Sequence, residues 1–475
     1  MHQLTNMKPK QTLLSAKWLA GALSGLMILA TSLTVAHTAN ASSSQAAPVS
    51  PMTFMALSDI HIQSGRTGDG TFCHDCETGS LLFKAALGKA RSLVTEKNLQ
   101  FIIYLGDLPA HNEGTSSRET EFATALDGLA SIVSGTSIPV LYLRGNNDSI
   151  GVDYCTFTAP DRNAGNAEKT PLDFASQPSE WPVYNGNATI IDHNKRHGYY
   201  SAHPLGTSDL RVIALNTVMF TKRFSSPKSY FGCVNEQTKQ QFVSDHLDWL
   251  QGQLNDASSN GEKVILAMHV PPGIDGHSTP HSGRDYSYMW DKHLTYSGSL
   301  IPGANGDWVQ KVFLNLVDQH SASIVSLLSA HTHLNGIRMI NNCSNQAVEL
   351  NLSIPAVTTD HGSNSALKII SYDNDFELIE AETFYATEHK NTVSSQTPPS
   401  YYDFEENQSF AFSDAYSCAP GDPCYSLFER ANFIQSTKGA ASLLNDMLGV
   451  LSVKARSYSA PHVYKEALQT ICGYY

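Results

Sequence analysis

The chain has 475 residues, and its 44 acidic and 31 basic side chains give a formal net charge of -13 at pH 7. Nucleic-acid binders depend on contacts between basic side chains and the phosphate backbone, and an acidic surface repels those phosphates. We therefore expect no nucleic-acid polymer as a partner. The length is sufficient for one large domain with a full hydrophobic core and an appendage.

Residues 1–41 have the pattern of a secretory signal peptide. Three lysines precede an apolar stretch over residues 18–36, and Ala39 and Ala41 provide the small side chains of a cleavage site. The apolar stretch is long for a signal, so a membrane anchor is the alternative, but the small residues favour cleavage after Ala41. We therefore expect an exported protein, secreted or periplasmic, with a flexible lead-in over residues 42–51 and no transmembrane span in the mature chain.

The chain contains eight cysteines, which in an exported protein predict up to four disulfide bonds. Cys73 and Cys76 have the spacing of half a zinc knuckle, but no second such pair is present, so we expect a disulfide instead. Cys418 and Cys424 flank a turn sequence that contains two prolines and a glycine, and we expect them to close a small loop.

Five short apolar runs predict buried strands, and each run ends at residues that can bind a metal. Stretches with helical spacing follow the first two runs, at residues 80–97 and 119–133, and a third lies at residues 236–254. Alternating strands and helices build a parallel or mixed sheet covered by helices, so we predict an α/β fold. The five runs are residues 54–57, 101–105, 140–143, 264–268 and 324–328.

The residues that follow these strands form a mixed set of oxygen and imidazole ligands. In open α/β sheets the carboxyl ends of parallel strands meet at one edge, so these side chains are expected to converge. The set is too large for one tetrahedral ion and suits two ions bridged by a shared carboxylate. The candidate ligands are Asp59, His61, Asp107, Asn146, His269, His331 and His333.

The order of these motifs, D-x-H, G-D, G-N, H and H-x-H, resembles that of the calcineurin-like metallophosphoesterases. Residues 106–111 and 269–273 resemble the acid-sphingomyelinase-like phosphodiesterase branch in particular, and the similarity extends over residues 54–385. The resemblance implies a four-layer αββα sandwich of two mixed sheets flanked by helices. It also implies two divalent ions. The ligand set allows zinc, manganese or iron, and the resemblance to this branch favours zinc.

The resemblance further implies a division of the ligands between the two ions, with Asp107 as the bridge. A hydroxide held between the ions would attack phosphorus in line. One ion would be held by Asp59, His61 and His333, and the other by Asn146, His269 and His331.

Two positions depart from the family pattern. Asn147 stands where the family usually has histidine, and an amide can donate a hydrogen bond to a phosphoryl oxygen but cannot act as a general acid. We therefore assign substrate binding to Asn147 and protonation of the leaving group to His111, whose alternative is an ordinary loop histidine. Ala330 replaces the usual glycine before the H-x-H motif, which adds one methyl group without removing a ligand.

Two irregular stretches, residues 150–197 and 274–306, are predicted loops near the site, where substrate specificity is expected to lie. Three histidines of the second stretch are expected to be surface residues rather than ligands, although they could line the pocket. They are His277, His281 and His293.

The sequence after His333 predicts a second sheet and then an appendage. Strand-like runs at residues 347–352, 366–372 and 376–382 complete a metallophosphoesterase domain over residues 52–386. A polar linker over residues 387–400 leads to a small helical subdomain over residues 401–475 that contains cysteines. Its three predicted helices are expected to dock on the main domain, with transient contact with a membrane surface as the alternative. These helices are residues 424–434, 440–453 and 461–472.

Three functions are consistent with this sequence pattern. The first is a secreted binuclear phosphodiesterase that hydrolyses a small phosphodiester, either a phospholipid head group such as that of sphingomyelin or a nucleotide-type ester. The second is a phosphomonoesterase or nucleotidase that uses the same site. The third is a secreted binding protein that has lost turnover, for which Asn147 is the main support.

Overall fold

The structure is a computed structural model, and it describes only part of the chain. The predicted leader, the last two predicted helices, His277 and His281 lie outside the described residues. These residues are 51–63, 76–111, 114–160, 168–176, 183–184, 186–225, 236–275, 287–362, 364–388, 402–403 and 409–438.

The described residues form alternating strands and α-helices over residues 52–142 and a longer series of strands after them. The strands are β1 (Met52–Leu57), β2 (Leu99–Tyr104), β3 (Val140–Tyr142), β4 (Ala159–Pro160), β5 (Glu168–Lys169), β6 (Val183–Tyr184), β7 (Thr189–Asn194), β8 (Tyr199–His203), β9 (Leu210–Leu215), β10 (Lys263–Met268), β11 (Ile324–Ser329), β12 (Gly336–Asn341), β13 (Ala347–Ser353), β14 (Ala366–Tyr372), β15 (Leu378–Tyr385), β16 (Thr387–Glu388), β17 (Tyr402–Asp403) and β18 (Ser409–Ala411). The α-helices are α1 (Ser80–Glu96), α2 (Thr115–Ile132), α3 (Glu236–Asn260), α4 (Val309–Gln319), α5 (Phe412–Ala415) and α6 (Leu427–Lys438).

Two seven-stranded mixed sheets organise these elements. The first has the order β18-β15-β14-β1-β2-β3-β6, and the second has the order β12-β13-β11-β10-β9-β8-β7. In the first sheet β1, β2 and β3 are parallel, and in the second β9, β10, β11 and β13 are parallel. The outer strands of both sheets pair antiparallel.

Three buried clusters of apolar side chains separate four layers. Side chains from the facing surfaces of both sheets form the central cluster, in which Phe54 of β1 and Val212 of β9 are fully buried. The outer face of the first sheet packs against α1 and α2, and the outer face of the second packs against α3 and α4. The strands at the centre are buried on both faces, which is why they read as continuous apolar runs. The predicted four-layer αββα sandwich is therefore confirmed.

Several element boundaries differ from the sequence prediction. The predicted loop over residues 150–197 was wrong in part, because its end forms β7, an edge strand whose exposed side chains give little hydrophobic signal. The run predicted at 376–382 is shifted, since Phe376 has a positive φ in a turn and β15 begins at Leu378. The helix α4 was not predicted, although its buried side chains recur at helical spacing.

The segment over residues 409–438 packs onto the main domain. Its strand β18 adds to the first sheet beside β15, and the buried side chains of α6 join the central cluster between the sheets. This confirms the predicted docking for the described helix. The predicted small loop is also confirmed, because Cys418 and Cys424 form a disulfide with a sulfur to sulfur distance of 2.04 Å.

The other described cysteines are oxidised as well. Cys76, Cys155 and Cys343 are disulfide-bonded, so no described cysteine is a free thiol. Among the described residues, no helix has the length and apolar character that crossing a membrane requires.

Candidate metal centre

The seven predicted ligands converge at one end of the two sheets. Each lies just beyond the carboxyl end of β1, β2, β3, β10 or β11, and these five strands come from both sheets. Six of the side chains are almost completely buried, and His331 is half-buried. The structure therefore brings the seven predicted residues together at the strand ends, and their role as metal ligands stays a prediction.

Five of the seven predicted ligands have a left-handed backbone conformation, which is unusual for residues other than glycine. Each such residue costs free energy unless the surrounding structure holds it, and this kind of strain concentrates at functional sites. Hydrogen bonds between the strand ends provide that support, with Asp59 N donating to Gly106 O at 2.9 Å. The φ values are 48° for Asp59, 45° for His61, 65° for Asp107, 70° for His331 and 59° for His333.

The glycine of the G-N motif is required by the close approach of β2 and β3. A Cβ atom on Gly145 would lie 2.1 Å from Oδ1 of Asp107, so any side chain there would displace the carboxylate. Gly106 combines a φ of 98° with backbone atoms of Gly145 within 2.6 Å of a hypothetical Cβ. The two glycines therefore allow the central carboxylate to lie between the loops that follow these strands.

Three of the ligand histidines are oriented by the backbone. In each, Nδ1 lies within hydrogen-bond distance of a main-chain carbonyl oxygen, so Nδ1–H is the donor and Nε2 points into the centre. Such second hydrogen bonds fix the tautomer and ring direction of metal-binding histidines. The distances are 3.0 Å from His61 to Pro109 O, 2.7 Å from His269 to Leu105 O and 3.0 Å from His333 to Asp360 O.

The centre has the polar arrangement that a cation requires. The Nε2 atoms of His61 and His333 lie 3.2 Å apart. Two nitrogen lone pairs repel each other at this distance, so a proton or a metal ion must lie between them. The Oδ1 atom of Asp59 is buried without a hydrogen-bond partner. It lies between 3.5 and 3.9 Å from the Nε2 atoms of His333, His61 and His269. Burying a carboxylate oxygen without a hydrogen bond costs free energy, and binding to a metal ion would offset that cost.

Two groups of ligands share Asp107. The ligand atoms of Asp59, His61 and Asp107 lie within 4.8 Å of one another, and so do those of Asp107, His269 and His331. Oδ2 of Asp107 lies 3.4 Å from Nε2 of His61 and 3.2 Å from Nε2 of His269. These groups could hold divalent metal ions, with one carboxylate reaching both.

Asn146 belongs to the second group through its amide oxygen. Oδ1 of Asn146 lies 3.0 Å from Nε2 of His269, while its Nδ2 donates to Asp153 at 2.8 Å. The bond to Asp153 fixes the direction of the amide, so that oxygen and not nitrogen faces the centre.

The charged side chains at the centre shift one another's pKa values. Burial alone would raise the pKa of Asp59, but the neighbouring His333, His61 and His269 lower it to about 2. Burial would lower the pKa of His61, but hydrogen bonding and charge from Asp59 and Asp107 raise it to about 10. The same carboxylates raise the pKa of His269 to about 9 against the effect of burial. In protein without metal, these two rings therefore carry protons at pH 7.

We expect metal binding to release protons. His61 and His269 must lose a proton each before Nε2 can bind an ion, whereas burial lowers the pKa of His331 to about 4 and leaves that ring neutral. The apparent Zn²⁺ affinity should therefore rise between pH 6 and 8, by about tenfold per pH unit for each proton displaced. Calorimetry in buffers of different ionisation enthalpy should detect about two protons per loaded chain. Affinity that does not change with pH would contradict this.

His111 lies beside the centre and is held by Glu77. Its backbone N and its Nδ1 both meet Oε1 of Glu77, at 3.0 and 2.7 Å, and its ring stacks on His61 with 4.2 Å between centroids. Nδ1 also lies 3.7 Å from Oδ2 of Asp360. A ring nitrogen of His111 also lies within 4.8 Å of ligand atoms of His61 and His333. His293, in contrast, is exposed on a loop, as predicted.

Asn147 is completely buried beside Asp107. Its backbone N donates to Oδ1 of Asp107 at 2.7 Å and its Nδ2 donates to Oδ2 at 3.0 Å, while its own Oδ1 has no hydrogen-bond partner. The carbonyl of Asn147 accepts a hydrogen bond from Arg118 at 2.6 Å. The predicted contact with substrate stays a prediction, and the amide also orients Asp107.

Two site residues were missed by the sequence analysis. Asp148 accepts hydrogen bonds from the backbone N atoms of Gly145, Asp107 and Leu108, at 2.7, 2.9 and 2.8 Å, and so ties the loops after β2 and β3 together. An acidic residue two positions after the G-N motif could have signalled this role. Glu77 gives no signal in the sequence, because it lies 34 residues before its partner His111.

Comparison with known proteins agrees with this geometry. The family model described as calcineurin-like phosphoesterase matches residues 52–335. Sphingomyelin phosphodiesterase A of Dictyostelium discoideum is 24% identical over 290 residues, which cover 58% of this chain and 40% of that protein. Sphingomyelin phosphodiesterase of Bos taurus is 20% identical over 353 residues, which cover 70% of this chain and 48% of that protein.

Other relatives are more distant or match a shorter part of the chain. Cyclic GMP-AMP phosphodiesterase SMPDL3A of Homo sapiens is 22% identical over 219 residues, which cover 43% of this chain and 42% of that protein. A dimetal phosphatase structure from Danio rerio is 14% identical and covers 70% of this chain and 95% of its own, with a TM-score of 0.35. The chain thus spans about half or less of the length of these three curated relatives. The curated relatives confirm the resemblance to the acid-sphingomyelinase-like branch.

Proposed function

Because this chain belongs to the calcineurin-like phosphoesterase family, we propose that it is a phosphodiesterase that uses two divalent ions to hydrolyse a small phosphodiester. The observation that carries the proposal is the position of Asp107, which lies in both ligand groups of the centre. One carboxylate shared by two sets of imidazole and oxygen ligands is the arrangement that a pair of ions needs. Zinc is the proposed metal, since tetrahedral sites rich in imidazole favour it.

The proposed division of ligands follows the contacts around each carboxylate. Asp59, His61 and His333 form the first set, and Asn146, His269 and His331 form the second. When bound, two ions would supply Lewis-acid polarisation of the phosphoryl oxygens and would lower the pKa of a water molecule. The chain itself would position the ester and move the protons.

His111 is the proposed proton donor for the leaving group. The carboxylate of Glu77 holds its Nδ1, which leaves Nε2 on the side of the ring that is free to carry and deliver a proton. The ring is 27% exposed and stacks on His61, so it lies between the centre and solvent. Histidine is the side chain that most often serves as a general acid in enzymes.

Asn147 is proposed to contribute in two ways. Its hydrogen bonds to both oxygens of Asp107 orient the shared carboxylate. If its Nδ2 turns from Asp107 to the ester, it can also donate to a phosphoryl oxygen, but it cannot supply a proton for the leaving group. This separation of roles makes His111 the more important residue for esters with poor leaving groups.

The substrate class is proposed from the relatives. Several of them are named sphingomyelin phosphodiesterases, and others are named cyclic GMP-AMP phosphodiesterases, so both a phospholipid head group and a nucleotide-type ester are represented. We propose a small phosphodiester of one of these classes. The sequence pattern of residues 1–41 and the oxidised cysteines support export of the protein to the periplasm or the cell exterior.

Paired chromogenic substrates test the proposed activity against its alternatives. Metal-replete protein should hydrolyse bis-p-nitrophenyl phosphate about tenfold or more faster, in kcat/KM, than p-nitrophenyl phosphate, and chelation should abolish both activities. A preference for the monoester would favour a phosphomonoesterase or nucleotidase. Two bound ions without turnover of either ester would favour a binding protein.

A further inference from the structure

The segment that follows β9 brings a basic residue to the same end of the sheets as the metal centre. β9 is parallel to β10, whose end carries His269, so both strands finish at one edge. Two short 3-10 helices follow there, Thr217–Phe220 and Lys222–Ser225. Arg223 lies on the second of them and is exposed.

One aromatic ring separates Arg223 from the metal ligand His331. The guanidinium carbon of Arg223 lies 5.2 Å from the centroid of the Tyr154 ring. Oη of Tyr154 lies 3.4 Å from Nε2 of His331, and the two rings meet edge to face. Tyr154 is only 8% exposed, so it forms a fixed support that places the arginine beside the centre.

The guanidinium of Arg223 is available for a ligand. It forms neither a hydrogen bond nor an ion pair with any residue in the described part of the chain, and its interaction with the Tyr154 ring uses its face. Its edge N–H donors make no hydrogen bond to a described residue, and their geometry matches the oxygens of a phosphate or carboxylate. In a chain of net charge -13, an unpaired cation at the mouth of a metal site creates a local attraction for anions.

We propose that Arg223 binds a second anionic group of the substrate, beside the phosphodiester that is cleaved. The preferred esters would then carry a further phosphate or carboxylate, as nucleotide derivatives do. A quaternary ammonium group such as that of choline would meet a like charge at this position and would be disfavoured. The inference rests on the proposed phosphodiesterase function and narrows its substrate from two classes to one.

Three diesters with one leaving group test this subsite. They are bis-p-nitrophenyl phosphate, p-nitrophenyl phosphorylcholine and thymidine 3'-phosphate 5'-(p-nitrophenyl phosphate), which differ in the charge carried away from the scissile bond. Arg223→Ala should lower kcat/KM for the thymidine substrate by about tenfold, mainly through KM, because a charge-assisted hydrogen bond is lost. The bis-p-nitrophenyl substrate should change by less than about twofold. The phosphorylcholine substrate should lose nothing and should gain in kcat/KM, because the like charge that opposes its ammonium group is removed.

Lys222→Ala is the matched control, since it removes the same charge from the adjacent exposed residue. Lys222 has no contact with Tyr154 or His331 among the described residues. The control should therefore leave the ranking of the three substrates unchanged. Equal losses on all three substrates in Arg223→Ala would overturn the proposal and leave Arg223 as a support for Tyr154, and no loss on any would overturn it as well.

A binding measurement separates this inference from the proposed function. Metal-loaded protein should bind thymidine 3',5'-bisphosphate about tenfold more tightly than thymidine 5'-monophosphate, and Arg223→Ala should remove that difference. Calorimetry detects this even when no ester is hydrolysed. Equal affinity for the two nucleotides would reject the subsite, whereas absence of turnover with the affinity difference intact would reject only the phosphodiesterase.

Discussion

Asp107→Asn is expected to remove both metal ions and to lower phosphodiesterase activity by about a thousandfold or more, which corresponds to about 4 kcal/mol of transition-state stabilisation. The physical reason is that one carboxylate reaches both ligand groups, at 3.4 Å from His61 and 3.2 Å from His269. An amide lacks the negative charge that offsets two divalent cations. Elemental analysis and kcat/KM on bis-p-nitrophenyl phosphate would measure the two effects.

The control for this experiment is Asp209→Asn, which makes the same chemical change at an exposed residue before β9. It should retain about two ions per chain and parent activity. Thermal unfolding with chelator present checks that Asp107→Asn is folded, because Asp107 also receives hydrogen bonds from Asn147. Retention of both ions and full activity in Asp107→Asn would contradict the proposed bridge.

His111→Ala is expected to slow the hydrolysis of alkyl esters by about a hundredfold or more and that of p-nitrophenyl esters by less than about threefold. An alkoxide needs a proton as it leaves, whereas p-nitrophenolate is stable without one. Metal content should not change, because the seven proposed ligands remain. The measurement is the dependence of kcat/KM on the pKa of the leaving group, compared between parent and variant.

Glu77→Gln should show the same selectivity with a smaller loss, because an amide still accepts from Nδ1 but holds the ring less firmly. His193→Ala, at an exposed position of β7, is the matched control and should behave as the parent does. Equal losses on activated and unactivated esters in His111→Ala would refute proton donation and leave His111 as a binding residue.

Much of the fold could be predicted from the pattern of apolar residues along the chain. The central strands are buried on both faces, so each appears as a continuous apolar run that ends at a polar residue. Elements at the margins were harder to predict. The edge strand β7 is largely exposed and lacks such a run, and α4 follows an irregular stretch that concealed its helical spacing.

The sequence by itself determined the candidate ligands and the strand ends at which they lie. Parallel strands of one sheet place their carboxyl ends at one edge, so the polar residues after β1, β2 and β3 were expected to be neighbours, and so were those after β10 and β11. The packing of the two sheets then decided that these two edges meet. The order of motifs was sufficient to identify Asp59, Asp107 and His269 as neighbours, although 210 residues separate the first from the last.

Only the tertiary structure decided how these residues are held and what surrounds them. Asp148 fastens two loops through backbone N–H groups, and Glu77 fixes His111, because folding brings together groups that no local pattern relates. The position of Arg223 over Tyr154 joins residues 69 positions apart on different loops. Hydrogen bonds and charges of this kind depend on distances of a few ångströms in space, and spacing along the chain does not encode them.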